Sequence, residues 1–194
     1  MIERSNRIKI PLERVGVLIG HNGRVKGTIE ERLEVRLDVD SRTGDIKVTS
    51  TGSDPSLLFR ARDIVLAIGR GFSPEGAFNL FDEDLNLYVL DLEERCRSPS
   101  DIRRVKSRII GMNGKTRRIL EEETMTKISI YGHTISIIGD VQHLMVARNA
   151  VEMLIKGDLH RSVYRYLDRK RAELKDSEME LWKSIPDRRK REEA

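Results

Sequence analysis

The sequence predicts an α+β fold made of two copies of one β-α-α-β-β-α unit, followed by a charged, partly helical tail. Three observations predict it. Short runs of alternating apolar and polar residues, the period of a half-buried strand, are interleaved with stripes at the spacing of an amphipathic helix. In each half a helical stripe is broken by two glycines three apart, Gly20-His21-Asn22-Gly23 and Gly111-Met112-Asn113-Gly114. The halves also lie on each other at an offset of 91, which brings Gly20 and Gly23 onto Gly111 and Gly114, Ile29 onto Leu120, and Leu37 and Val39 onto Ile128 and Ile130.

Taken in order, Ile8 and Ile10 alternate with Arg7 and Lys9, and Pro11 ends a short strand. Leu12, Val15, Leu18 and Ile19 follow at helical spacing, and after the glycine pair a helical pattern resumes from Arg24 to Leu33. Val35, Leu37 and Val39 alternate, Ser41-Arg42-Thr43-Gly44 supplies turn chemistry, and Ile46 and Val48 mark the returning strand. Asp54-Pro55 opens a helix, Asp as N-cap and Pro in the first turn, with Leu58, Ala61, Ile64, Val65 and Ile68 on its buried stripe. This unit is bounded at 5–82.

The pattern restarts over 84–167. Leu87 and Val89 mark a strand, and Ser98-Pro99-Ser100-Asp101 gives cap and turn chemistry ahead of a helix expected over 102–110. Lys115 to Glu123 forms the next helix. Ile128 and Ile130 alternate towards Gly132-His133, and Ile135 and Ile137 alternate away from it. A two-residue turn opening on glycine then pairs Ile130 with Ile135 and Ile128 with Ile137, all on one face. Asp140 caps a helix carrying Leu144, Ala147, Val151 and Leu154. Shorter turns reduce the later offset, so that Ala61-Arg62 falls on Ala147-Arg148, and Ala77, Phe78 and Leu80 on Val163, Tyr164 and Tyr166. Order and spacing held across so many elements mark a tandem duplication.

Charge singles out the second glycine pair. The 194 residues hold 36 basic and 32 acidic side chains, so total charge says little and position decides. Between Arg95 and Arg118 lie Arg95, Arg97, Arg103, Arg104, Lys106, Arg108, Lys115, Arg117 and Arg118, opposed only by Asp101. Lys115, Arg117 and Arg118 place cations in the first turn of a helix, against the macrodipole, unless an anion sits there. A phosphate backbone fits. The first pair is followed by Arg24 and Lys26, and its preceding helix has only Arg14 as a cation, so it is expected to be the weaker site. Gly114-Lys115-Thr116 also invites a nucleotide-binding P-loop reading, but that motif needs glycine at 109, where Ile109 stands.

With these residues in view, the duplicated unit resembles the type I KH domain. Ile19-Gly20-His21-Asn22-Gly23 and Ile110-Gly111-Met112-Asn113-Gly114 carry the likeness, helped by Gly71-Phe72-Ser73-Pro74-Glu75-Gly76-Ala77-Phe78 after the first copy. Together they resemble the archaeal relatives of a small-subunit ribosome assembly factor, the KH protein known as the partner of the Nob endonuclease. The resemblance implies single-stranded RNA as ligand, near the 3′ end of small-subunit pre-rRNA, beside the endonuclease that trims it. Carried onto this chain, it makes Gly20, His21, Asn22, Gly23, Arg24, Lys26, Arg104, Arg108, Gly111, Met112, Asn113, Gly114, Lys115, Arg117, Arg118 and Lys127 the expected RNA contacts. Bases would lie along the strand side, near Lys127 and Ser129 in the second copy and Arg36 and Asp38 in the first.

Other readings are plainer. His21, His133, His143 and His160 share no metal spacing, and no cofactor or catalytic set is expected. Glu121, Glu122 and Glu123 read as a solvated helix face. Phe72, Phe78, Phe81, Tyr164 and Tyr166 could stack on bases, although matched positions in both copies favour packing. Cys96 stands alone, so no internal disulfide forms, and with no apolar run of membrane length a soluble cytoplasmic protein is expected. Over 168–194, Leu174, Leu181 and Trp182 could extend a helical side before a charged, disordered end.

Overall fold

The computed structural model describes residues 4–184, with side-chain surroundings through residue 176. The first half runs β1 (Ser5–Lys9), α1 (Leu12–Ile19), α2 (Arg24–Leu33), β2 (Val35–Val39), β3 (Asp45–Ser50) and α3 (Pro55–Gly69), then the short α4 (Pro74–Ala77). The second runs β4 (Asn86–Asp91), α5 (Pro99–Ile110), α6 (Lys115–Thr124), β5 (Lys127–Tyr131), β6 (Thr134–Gly139), α7 (Val141–Lys156) and α8 (His160–Ser184). Each half forms a three-stranded antiparallel sheet of the same order, β1-β3-β2 and β4-β6-β5. The expected hairpin register holds, with Ile128 opposite Ile137 and Ile130 opposite Ile135 around Gly132-His133.

Each sheet lays its apolar face on its own helices. Leu18, Ile29, Leu37, Ile46, Ile64 and Ile68 are fully buried in the first core, and Ile109, Leu120, Ile135 and Ile137 in the second. Each such side chain contributes about 1.5–3 kcal/mol. Asp54 caps α3 through the N–H of Ser56, and Asp140 caps α7 through those of Gln142 and His143. Ser98 caps α5 through the N–H of Asp101. With that cap and Pro99 at the first position, α5 begins three residues earlier than the 102–110 span expected from its apolar pattern.

The halves are one packed body. All six residues of β6 are buried, because its sheet is covered on both faces. Ile135 and Ile137 face the second core, whereas Ile138 belongs to the first, where Leu85 and Leu87 join it. Leu87 thus marks the interface face of β4, and Tyr88 and Leu90 the face towards its own core. Ser129 donates to the Arg70 carbonyl at 2.9 Å, and the Tyr131 hydroxyl to Glu13 at 2.6 Å, with Arg14 over the Tyr131 ring. The connection between halves is tied to α3 by Arg60, which donates to the carbonyls of Asp82, Glu83 and Leu85.

The boundary expected at 167 falls inside α8, which runs unbroken from His160. Val163 and Leu167 are fully buried in the second core, Leu174 packs on it, and Arg171 pairs with Glu123. The first turns of this helix therefore belong to the second half. The side chains of Leu181 and Trp182, and residues 185–194, lie outside the described residues.

Candidate nucleic-acid interface

Both glycine pairs fold the same way. Gly111 has φ 70°, ψ 176°, Asn113 φ 52°, ψ 31°, and Gly114 φ 74°, ψ 13°; Gly20, Asn22 and Gly23 repeat these values within a few degrees. Asn in the left-handed region explains the shared Asn, which tolerates it better than most residues. The two glycines serve different ends. A Cβ on Gly111 would stand 2.7 Å from the Thr116 nitrogen, so this position is closed by the protein's own α6. A Cβ on Gly114 would meet nothing within 4 Å, so its surface is open to a ligand. Gly20 and Gly23 divide in the same way, with Val25 in the place of Thr116.

The helix behind the second turn is prepared for an anion. Gly114 provides no side-chain cap and the first turn of α6 holds no acidic residue, so amide N–H groups there lack side-chain partners. Lys115 is exposed and, among the described residues, has no ion pair. Arg118 donates to the Asn113 carbonyl at 3.2 Å, which holds its charge at the loop tip. Met112 is 82% exposed beside it. Lys127 is exposed at the start of β5, and Arg104 is exposed but bonded to Asp101 at 2.7 Å.

Arg108 is a correction to the expected set. Its guanidinium donates to the carbonyls of Leu154, at 3.2 Å, and Asp158, closing the C-terminal end of α7. In the first half Arg14 donates to the carbonyls of Ile68 and Phe72 and closes α3 in the same way. Those carbonyls correspond in the duplication, but the arginines do not, since Arg14 aligns with Val105 and Val17 with Arg108. Each half solved one capping problem from a different turn of its helix. Arg108 is not carried forward as a phosphate ligand.

A second feature escaped the sequence reading. Glu121 does not belong to a solvated face; its carboxylate accepts the Ile128 N–H of the edge strand at 2.8 Å and pairs with Arg117 at 3.5 Å. Glu30 repeats this with the Leu37 N–H at 2.7 Å and Lys26 at 3.5 Å. A cation, a carboxylate and an edge-strand amide thus staple helix to strand beneath each turn, setting the width of the groove. Of the acidic run only Glu122 is exposed, because Glu123 pairs with Arg171. The recurrence of Glu at one place in both copies, seven residues before the strand amide it binds, was the available signal.

The strand sides differ between halves. Ser129, expected beside bases, turns its hydroxyl to Arg70 of the first half. In the first half Arg36 and Asp38 pair with each other at 3.2 Å, and the groove of about 600 Å³ between α2 and the sheet is lined by three cations, Arg7, Lys26 and Lys47, and three carboxylates, Asp38, Asp40 and Asp45, so its charges balance.

Elsewhere local contacts shift a few groups, while burial pushes the Asp63 carboxyl and the Cys96 thiol up. The Tyr131 hydroxyl holds the Glu13 carboxyl below its ordinary range, and Glu13 in turn pushes the Tyr131 phenol up. Burial pushes the Asp140 carboxyl up, but bonds from His143 and Gln142 more than offset it and leave it lowered. His133 approaches Asp91 at 3.5 Å and Glu93 at 3.6 Å, a meeting that sequence spacing could not show. Phe72, Phe78 and Phe81 pack in the first core, and Tyr164 and Tyr166 against the second.

Two helices joined through a Gly-x-x-Gly turn and laid on a three-stranded antiparallel sheet make the second half a KH domain. The family model of the second PNO1 KH domain, a eukaryotic type KH-domain (KH-domain type I), matches residues 86–172. A KH domain-containing protein of Methanocaldococcus jannaschii is 45% identical over 181 residues, 93% of this chain and 80% of its own. The chain belongs to the Pno1/Dim2 family of KH-domain proteins. The pre-rRNA-processing protein pno1 of Aspergillus oryzae is 27% identical over 89% of this chain and 68% of its own. A chain in the crystal structure of an a/eIF2alpha–aDim2p–rRNA complex from Pyrococcus horikoshii superimposes with a TM-score of 0.84 at 43% identity, covering 89% and 97% of the two chains. Among the described residues no helix is long and apolar enough to cross a membrane.

Proposed function

We propose that this protein binds single-stranded RNA through the turn at 111–114 and acts on small-subunit ribosomal RNA during ribosome assembly. One observation carries the reading: an open Gly114 surface, uncapped α6 amides and an unpaired Lys115 meet at this turn, where among the described residues nothing lies within 4 Å of a Cβ placed on Gly114. A KH loop clamps about four nucleotides by their backbone. The relatives supply the RNA class, since one is a pre-rRNA-processing protein and a neighbouring structure holds rRNA. The first half is a second, diverged KH domain by its repeated topology and loop geometry, with a weaker hold on RNA through Gly20 to Gly23, Arg24 and Lys26. The role is binding, not catalysis. The family resemblance adds the expected position, near the 3′ end of the RNA beside a trimming endonuclease, in the cytoplasm.

The test is salt dependence. For a single strand, log K falls with log salt by about 0.7 per phosphate neutralised. Removing Lys115 and Arg118 together flattens the slope by about one unit or more, as two lost phosphate contacts require. An unchanged slope means the patch faces elsewhere. Crosslinking in cells, followed by sequencing of the attached RNA, decides the RNA class; mainly messenger RNA would remove the ribosomal assignment.

A further inference from the structure

α8 is pinned to the second turn from both sides. His160 donates from Nε2 to the Arg108 carbonyl at 3.0 Å, just before the loop, and the Tyr164 hydroxyl lies 3.2 Å from that of Thr116, just after it. Arg108 holds the segment leading into α8 through the Asp158 carbonyl. In the first half, Val25 stands where Thr116 does and can make no such bond. Between α5, the turn and α8 lies a groove of about 530 Å³, within the roughly 300–1,000 Å³ typical of small-ligand sites. Arg104, Ser107 and Lys115 line one wall and the rings of His160 and Tyr164 the other, with Met112 at the mouth.

This lining is one-sided in charge. Among the described residues no carboxylate lines it. Lys115 offers an unpaired ammonium and Ser107, exposed on α5, a hydroxyl. The rings of His160 and Tyr164, 6.2 Å apart and tilted to one another, line the same groove. Donors for a phosphate beside aromatic surface for a base is the composition of a single-strand nucleotide site.

We infer that the groove between the second Gly-x-x-Gly turn and α8 is an additional subsite, holding one further nucleotide of the same RNA strand beyond those clamped by the turn. It rests on the RNA-binding reading above and extends the site by using a helix added to the core of the KH fold. α8 acts as a fixed wall, since its three attachments bracket the loop itself.

The test measures site size. Labelled RNA tetramers and pentamers are titrated against the full-length protein and against Ser107→Glu and Ser107→Arg, which alter one exposed side chain in the groove. The pentamer binds wild type about tenfold more tightly than the tetramer, the value of one charge-assisted contact. Ser107→Glu abolishes that gain with little change in tetramer affinity, and Ser107→Arg keeps or widens it. Equal affinities of wild type for the two lengths, or an unchanged gain in Ser107→Glu, overturn the subsite while RNA binding stands. Failure of wild type to bind either length overturns the RNA-binding reading and the subsite with it.

Discussion

The two glycines of the second turn are interchangeable in sequence but not in structure, and replacing each by alanine separates folding from binding. Gly111 holds φ 70°, ψ 176°, a region essentially confined to glycine, at a cost of about 1–3 kcal/mol for any other residue. Its new Cβ would also stand 2.3 Å from Thr116 Oγ1 and 2.7 Å from the Thr116 backbone nitrogen. The hydroxyl can rotate away, but the nitrogen belongs to the first turn of α6, so the helix must shift. Overpacking of that kind adds about 1–3 kcal/mol. Gly111→Ala therefore loses about 2–6 kcal/mol, a large share of the 5–15 kcal/mol typical of a folded protein.

Gly114→Ala meets only the left-handed backbone penalty, about 1–2 kcal/mol, because no protein atom lies within 4 Å of its Cβ. The methyl group instead enters the space assigned to the RNA backbone. Displacing one phosphate contact reduces affinity about tenfold, the equivalent of ~1.4 kcal/mol. Urea unfolding and fluorescence anisotropy with a labelled single-stranded RNA read the two effects separately. With a slope of about 1–3 kcal/mol/M, Gly111→Ala lowers the midpoint by about 1 M or more and Gly114→Ala by less. Equal stabilities would refute the steric division, and wild-type affinity in Gly114→Ala would refute the approach of RNA at that surface.

Other perturbations follow from the same geometry. Replacing Met112 and Asn113 by Asp sets two carboxylates where the proposed RNA backbone would lie, each worth about 1–4 kcal/mol of repulsion against a phosphate; RNA titration is expected to show a loss of tenfold or more, and a smaller loss for the same change at His21 and Asn22. Arg108→Ala lowers stability by about 2 kcal/mol, since a charged donor leaves two carbonyls, yet leaves the salt slope of RNA binding unchanged; a flatter slope would return Arg108 to the phosphate contacts. Tyr131→Phe removes the hydroxyl bond that lowers Glu13 and raises Tyr131. A lowered carboxyl stabilises above its ordinary value of 4.5 and loses that contribution as pH falls through the folded value, while a raised phenol loses its contribution as pH rises past 10.0. The stability difference between wild type and variant is thus full between those values and closes at both ends, as urea unfolding across pH will show; a difference independent of pH would exclude the bond as its source.

What was legible in the sequence is what is local along the chain. The strands, the caps at Asp54 and Asp140, the two-residue turn at Gly132-His133 and both glycine loops depend on neighbours within a few residues, and each appeared where its chemistry put it. What was not legible depends on distant partners. Ser129 bonds a residue 59 positions away, Tyr131 one 118 away, and Arg108 carbonyls 46 and 50 away. No periodicity encodes such meetings. A helical side past residue 167 was expected, but its attachment was hidden for a related reason, since Val163, Leu167 and Leu174 pack on a core whose position the chain itself does not reveal.

The interface left one trace that duplication makes readable. The outer face of the first sheet carries Arg7, Asp38, Asp45 and Lys47, whose counterparts on the second sheet are Val89, Ser129, Thr134 and Ser136. Charges stand on the face that meets water, and small or apolar groups on the face that meets the other half, because an unpaired buried charge is far more expensive than a hydroxyl. The same comparison explains the division of labour between the turns. Both keep the glycines and the Glu staple, which maintain the fold, but only the second replaces Val25 with the hydroxyl of Thr116 that holds α8. The two halves thus share one frame, and their differences leave one sheet buried, the other charged, and the exposed cations of the second turn gathered at residues 115–118.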